Sequence, residues 1–276
     1  MGLERVLSKM RKRRRGVDGF IKNVNAKSDA KFFDDYIRKS PHWTDRWIHP
    51  KTHHSYSLRF VGAPQMTDAE LLECRNLVDA TSSKDYADSE MGWDADAKLA
   101  EMKSPELRYV LLHGPDAPPT TLTPPPSSRS IRSLRARSVS PRSTSPLPAA
   151  EFDALASSAP GPDSLAGPPM GLHGFVSFMP TMEDGYAVVY CYEIHLVHGL
   201  RRSGLGAQLI SLLKDVARNI SGVEKVMLTC FTRNESAREF YSRVGFMIDD
   251  FSPQPRKMRN GKILWPEHLI LSWEVS

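Results

Sequence analysis

The tightest constraint on the fold lies in the second half of the chain. A strand-like run from Tyr186 to Val197 leads into Arg201-Arg202-Ser203-Gly204-Leu205-Gly206, and a helix follows. Leu205, Leu209, Leu212 and Val216 recur at i, i+4, i+7 and i+11, which places them on one face of that helix. A strand-to-helix turn of this composition aims backbone N–H groups at the positive end of a helix dipole, where phosphate binds. Glycines there let the backbone approach a ligand with no Cβ in the way. Two phosphate loops are excluded: a dinucleotide fingerprint needs a third glycine where Leu209 stands, and a P-loop needs Gly-Lys-Ser/Thr.

Of the 21 prolines in 276 residues, 13 fall between Pro115 and Pro169, together with 11 serines. A stretch so poor in large apolar side chains cannot bury a core, and 115–170 reads as a disordered insert. Its Ser140-Pro141 and Ser145-Pro146, set among arginines, are candidate phosphorylation sites. The net charge of +5 invites a nucleic-acid reading, but residues 1–16 alone supply +6. The remaining body, at −1, lacks the footprint of a DNA-binding domain. The run Arg11 to Arg15 fits a nuclear targeting signal, with weak importin or nucleic-acid contact as its partner. Cys74, Cys191 and Cys230 have no metal-ligand spacing, so neither a metal site nor a disulfide framework is expected. No apolar run approaches the roughly 18 residues of a membrane span, and no apolar segment follows the basic start as a secretory signal requires. The expectation is a monomer of nucleus and cytoplasm, with no membrane contact.

Along the chain, Phe20, Ile21, Val24, Phe32, Phe33, Tyr36 and Ile37 recur at helical spacing and predict a helical strap over 17–50. Ser55 to Val61 alternates like a half-buried strand. Thr67-Asp68-Ala69-Glu70 is a capping box, and a second helical region is expected from about Ser83 to Met102. Strands follow at Arg108–Leu112, Gly174–Phe178 and Tyr186–Val197, then helix Gly204–Asn219, strand Val226–Phe231, helix Glu235–Arg243, and strands Phe246–Ile248 and His268–Trp273. The alternation predicts an α/β protein with a mixed sheet flanked by helices, occupying 51–276 around the insert.

The pattern Arg201-x-x-Gly204-x-Gly206 resembles the pyrophosphate loop of GNAT acetyltransferases. Val226 to Phe231, followed by Asn234, Ala237, Phe240-Tyr241 and Val244-Gly245-Phe246, is similar to the second half of that superfamily's core. The resemblance implies acetyl-CoA as cosubstrate, lying between two splayed strands. It implies cofactor contacts from Ile194, His195, Leu196, Arg201, Arg202, Ser203, Gly204, Leu205, Gly206, Ala207 and Asn234. Asn234 is also a natural helix N-cap.

Tyr190-Cys191-Tyr192-Glu193, Lys225 to Thr229, Ile248 to Pro253 and Tyr86 to Trp93 narrow the resemblance to the NatD family, N-alpha-acetyltransferases of histones H-four and H-two-A. What this implies is transfer of acetyl to the free N-terminal serine of histone tails. The alternatives are lysine side chains, other protein N-termini, or a module that binds acetyl-CoA without catalysis. Glu193 is then the candidate base, raised in pKa by its aromatic neighbours, and Tyr241 the acid for the departing thiolate. Tyr86, Met91, Trp93, Thr181, Glu183, Asp184, Tyr190, Tyr192, Thr229 and His268 match substrate-side positions. A carboxylate pair such as Glu183 and Asp184 suits an arginine of the tail. Met91 stands where the family has an aromatic and His268 where it has a tyrosine. A loop about two residues longer than usual is expected before Tyr190, which puts Thr181 at a position where an Asp is expected.

Overall fold

The computed structural model describes residues 19–90, 92–114, 171–261 and 263–275. They belong to one compact unit, Met1–Pro118 with Pro168–Ser276; a second unit, Pro119–Gly167, falls wholly outside the described residues. So do the basic tail, the insert's phosphorylation candidates and Met91.

One sheet of eight strands organises the unit. Its members are β1 (Arg46–Ile48), β2 (Ser55–Gly62), β3 (Arg108–His113), β4 (Leu172–Glu183), β5 (Tyr186–Leu196), β6 (Lys225–Phe231), β7 (Met247–Ile248) and β10 (His268–Glu274). Their order is β1-β2-β3-β4-β5-β6-β10-β7. A separate hairpin joins β8 (Arg256–Lys257) to β9 (Ile263–Leu264). Every pairing is antiparallel except β5 with β6, because a parallel pair needs a crossover and α3 (Leu205–Asn219) provides it. The other long helices are α1 (Asp68–Ala87), α2 (Ala95–Met102) and α4 (Glu235–Arg243).

Both faces of the sheet are covered. One apolar cluster packs the strap and α3 against it, with Phe32, Val189, Leu209 and Val216 among its members. The other, with Cys74, Val78, Met102 and Phe175, lies under α1 and α2. The strap is fastened to the sheet and α3 at several points. The Phe32 ring is fully buried beside Phe60 and Phe178, Asp29 accepts from the Gly62 amide at 2.7 Å, and Ser40 and His42 both reach the Asp215 carboxylate of α3.

The capping box at Thr67 forms in both directions, Glu70 N–H to the threonine hydroxyl and Thr67 N–H to the glutamate. The helical region expected over 83–102 is instead two elements. α1 stops at Ala87, Gly92 adopts a left-handed φ of 66°, and Asp94 caps α2 by accepting from the Asp96 and Ala97 amides. The connection before Tyr190 is a tight turn. β4 and β5 run unbroken to a two-residue turn at Asp184-Gly185, whose φ values of 48° and 89° suit a type I′ hairpin. Asp-Gly takes that geometry readily.

β5 carries a bulge. Ser177 of β4 faces Glu193 and Phe178 faces Cys191, which leaves Tyr192 as one residue too many. Ala187, Val189 and Cys191 pack on the α3 side, and so do Ile194 and Leu196. The extra residue shifts the alternation, so Tyr192 and Glu193, neighbours in sequence, share the α1–α2 face. His195 follows them there, against Thr81 of α1.

Candidate active site

Parallel pairing of β5 with β6 ends at Cys191 and Leu228. Beyond that point, at the bulge, the strands part, and among the described residues no strand pairs with the β6-facing backbone edge of Tyr192 to Leu196. At the far end of this edge Val197 leads through His198–Leu200 into the glycine loop. Gly204 is the N-cap of α3 with φ 91°, a conformation open to glycine and strained for most residues. Gly204 has no side chain to cap the helix; the Leu205 amide donates to the Ser203 hydroxyl at 3.5 Å, and the Gly206 and Ala207 amides that follow have no intrahelical acceptor. Arg201 and Arg202 are exposed beside them, while Ser203 and Ala207 are half-buried and Leu205 is buried in the core. Gly206 lies beside Leu196 and Phe240: a Cβ there would come 3.4 Å from the Phe240 ring. Arg201 donates to the Leu196 carbonyl at 3.2 Å and so ties the loop to the open strand edge.

Glu193 lies on this edge and is 8 % exposed. Its Oε2 is 2.6 Å from His195 Nε2. Its Oε1 accepts from the Lys98 ammonium at 3.0 Å and from the Tyr86 hydroxyl at 3.2 Å. The expected raised pKa is not found. Burial does push the carboxyl up, but His195 and Lys98 together outweigh it and hold Glu193 below the usual carboxylate range. Burial acting on a phenol is the plainer case: it pushes Tyr86 up to about 12, with Glu193 adding to the effect.

The substrate-side residues fall into two groups. The Tyr86 ring packs against Trp93 on one side and Phe231, at the splayed end of β6, on the other. The Tyr190 and Tyr192 rings lie 5.1 Å apart, tilted by 55°, and the Tyr190 hydroxyl meets the Thr229 hydroxyl at 2.6 Å. Glu183 lies within electrostatic reach of both tyrosines, and burial together with the Asp184 carboxylate pushes its own pKa up. Asp184 itself occupies the turn. Thr181 goes elsewhere: it lines a small cavity with Ile21, Lys22 and Asn25 of the strap. His268 is exposed at the start of β10, paired with Phe231. Next to it Glu267 accepts from the Glu90 amide, which fastens the loop after α1.

Tyr241, 8 % exposed, projects from α4 into the α3-side core, where burial pushes its hydroxyl well up and the Cys191 and Cys230 thiols and Glu193 add to the effect. Asn234 caps α4 by accepting from Ala237 N, and its amide donates to Asp85 of α1. Lys98, Thr81 and Phe231 are additions that sequence reasoning missed. Helical periodicity marks Lys98 as one more polar residue of a short helix; only the tertiary fold turns it inward. Among the described residues no group of His, Cys, Asp and Glu is arranged to hold a metal ion, and no helix is long and apolar enough to cross a membrane.

Residues 151–246 match the model of the acetyltransferase (GNAT) family. The match covers about a third of the chain. The splayed strands and the glycine loop fall within the matched residues. Among curated proteins, N-alpha-acetyltransferase 40 of Saccharomyces cerevisiae is 34% identical over 101 residues, 30% of this chain and 35% of that protein. The chain thus aligns with about a third of that relative's length. Similar solved structures include Arabidopsis thaliana NAA60 with a bisubstrate analogue, 10% identical at a TM-score of 0.44 over 80% of this chain and all of that one. A probable GNAT acetyltransferase of Chromobacterium violaceum is 13% identical at a TM-score of 0.43, over 84% and 91%.

Proposed function

We propose that this chain is a GNAT acetyltransferase that transfers the acetyl group of acetyl-CoA to the free α-amine of a protein N-terminus, and that its substrate is the N-terminal serine of histone tails. One observation carries the reading: the bulge at Tyr192 sets Glu193 on the open strand edge and on the face lined by Tyr86, Tyr190 and Tyr192. The limited similarity to an N-alpha-acetyltransferase supports the choice of amine. The Glu183 carboxylate beside the tyrosines, with Asp184 next to it in the turn, supports a cationic tail, since an arginine would relieve the charge that burial and Asp184 make costly at Glu183.

Acetyl-CoA is the cosubstrate. The first-turn amides of α3 and the exposed Arg201 and Arg202 receive the pyrophosphate, and the free edge of Tyr192 to Leu196 offers the pantetheine arm backbone partners. The amine nitrogen attacks the thioester carbonyl carbon, forming the C–N bond as the C–S bond breaks. An α-amine has a pKa near 8 before attack, but once bonded to the acyl carbon its N–H is strongly acidic. A carboxylate of low pKa is therefore a sufficient acceptor, and Glu193 takes that proton through a bridging water. The Tyr241 hydroxyl, kept protonated by burial, supplies a proton to the departing thiolate.

The test is incubation with acetyl-CoA and Ser-Gly-Arg-Gly peptides, free or blocked at the N-terminus, with the acetyl group located by mass spectrometry. Acetylation of the free α-amine is the expected result. Modification of the blocked peptide alone would overturn the reading.

A further inference from the structure

Lys98 is a buried charge with no part in the chemistry set out so far. Its side chain is 9 % exposed and extends from α2 to Glu193, Tyr86 and Glu101, with contacts between 2.9 and 3.1 Å. The ammonium also sits 4.9 Å from the Tyr86 ring centroid. Desolvating a lysine and a carboxylate is costly, and an apolar pair of the same size would serve packing as well or better. This pair lies where the substrate amine must arrive. An isolated buried carboxylate there would seize the protonated amine as an ion pair, binding it tightly in the form that cannot attack.

We propose that Lys98 is a positioning residue that neutralises Glu193 in advance, so that the site admits the substrate amine in its uncharged, nucleophilic form instead of trapping its ammonium. The inference rests on the reading of Glu193 as the carboxylate that faces the incoming amine. Of the other ionisable groups around the pair, His195 also favours the Glu193 carboxylate, from the opposite oxygen, and the rest do not. Glu101 of α2 adds negative charge, Tyr86 of α1, Tyr109 of β3 and Tyr241 of α4 are neutral phenols, and Cys191 of β5 is a neutral thiol. His195 of β5 holds the opposite oxygen, Oε2, and is turned toward Thr81 of α1. Lys98 alone places a permanent cation on the oxygen shared with Tyr86.

A merely structural lysine and a charge-neutralising one predict different kinetics. In Lys98→Met the exposed carboxylate charge binds the ammonium: KM for a Ser-Gly-Arg-Gly peptide falls several-fold, kcat falls about tenfold, and the alkaline rise of kcat shifts up by about one pH unit. Lys98→Arg restores wild-type values to within about threefold. KM for acetyl-CoA is unchanged in both. An increase in peptide KM, or an unshifted pH profile in a folded Lys98→Met, overturns the proposal. A measurement on the wild-type protein does not depend on any variant folding. With CoA bound, affinity for the peptide is compared with affinity for its des-amino analogue at pH 6.5 and 8.5. The amine's advantage is expected to grow at pH 8.5; growth at pH 6.5 instead overturns the inference. If wild type acetylates no free N-terminus, the assignment of activity fails on its own, and the binding comparison still judges Lys98.

Discussion

At the scale of single residues, Glu193 and Tyr241 face opposite sides of the same strand pair, and each can be tested by removing one atom's chemistry. Glu193→Gln keeps shape and burial but cannot hold a proton; kcat is expected to fall by about 100-fold or more while acetyl-CoA binding, followed by calorimetry, stays at the wild-type level. Unchanged turnover would remove Glu193 from the mechanism. Tyr241→Phe deletes a hydroxyl that burial keeps protonated. Its kcat is expected to drop about tenfold or more with KM for both substrates preserved, and an equal kcat would make the ring core filling alone. The resemblance to a known family singles out both residues, and strand and helix patterns locate them on β5 and α4. The sequence does not disclose the charge state of Glu193. That depends on Lys98 and His195, and Lys98 stands 95 positions away in the chain; no local pattern records that a helix lysine will be folded inward against a strand.

At the scale of elements, the same contrast separates local from tertiary causes. The capping box at Thr67, the amphipathic α3 and the strands around Tyr190 and Leu228 are set by neighbours within a few residues, and all are readable in advance. The three-residue β1 and the β8–β9 hairpin are not, because each is too short to show a period and exists through pairing with a partner strand. The break between α1 and α2 is intermediate: Gly92 and Asp94 signal it, yet the flanking residues have helical propensity and mask the signal. Gly204 offers the direct test at this scale. Its φ of 91° makes Gly204→Ala strained by about 1 kcal/mol, and the new methyl group stands where the backbone must approach a pyrophosphate. KM for acetyl-CoA is expected to rise several-fold in steady-state assays, with KM for peptide unchanged. A variant that alters only peptide KM would detach the loop from the cosubstrate.

Across the whole molecule, buried carboxylates set the response to acid. Burial raises Asp249, but Lys225, Ser272 and the Phe251 amide outweigh it and lower its pKa; Asp215, held by His42, Ser40 and Arg218, is lowered likewise, as is Glu193. A carboxylate whose folded pKa lies below its unfolded value stabilises the fold fully above the unfolded value near 4 and loses that contribution as pH falls through the folded one. Denaturant midpoints are therefore expected to be level near neutrality and to fall below about pH 4. Asp249→Asn, which strands the Lys225 ammonium, is expected to cost about 3 kcal/mol at pH 7 and to flatten the acid slope; an unaltered slope would mean that the ion pair does not drive it. The surplus residue of β5 has a consequence at this scale too. Deleting Tyr192 would leave Glu193 looking the same way, since one residue fewer restores simple alternation, but the straightened strand could then zip onward along β6. The expected product is a folded protein with its base in place and its doorway sewn shut: intact by circular dichroism, silent toward acetyl-CoA in calorimetry.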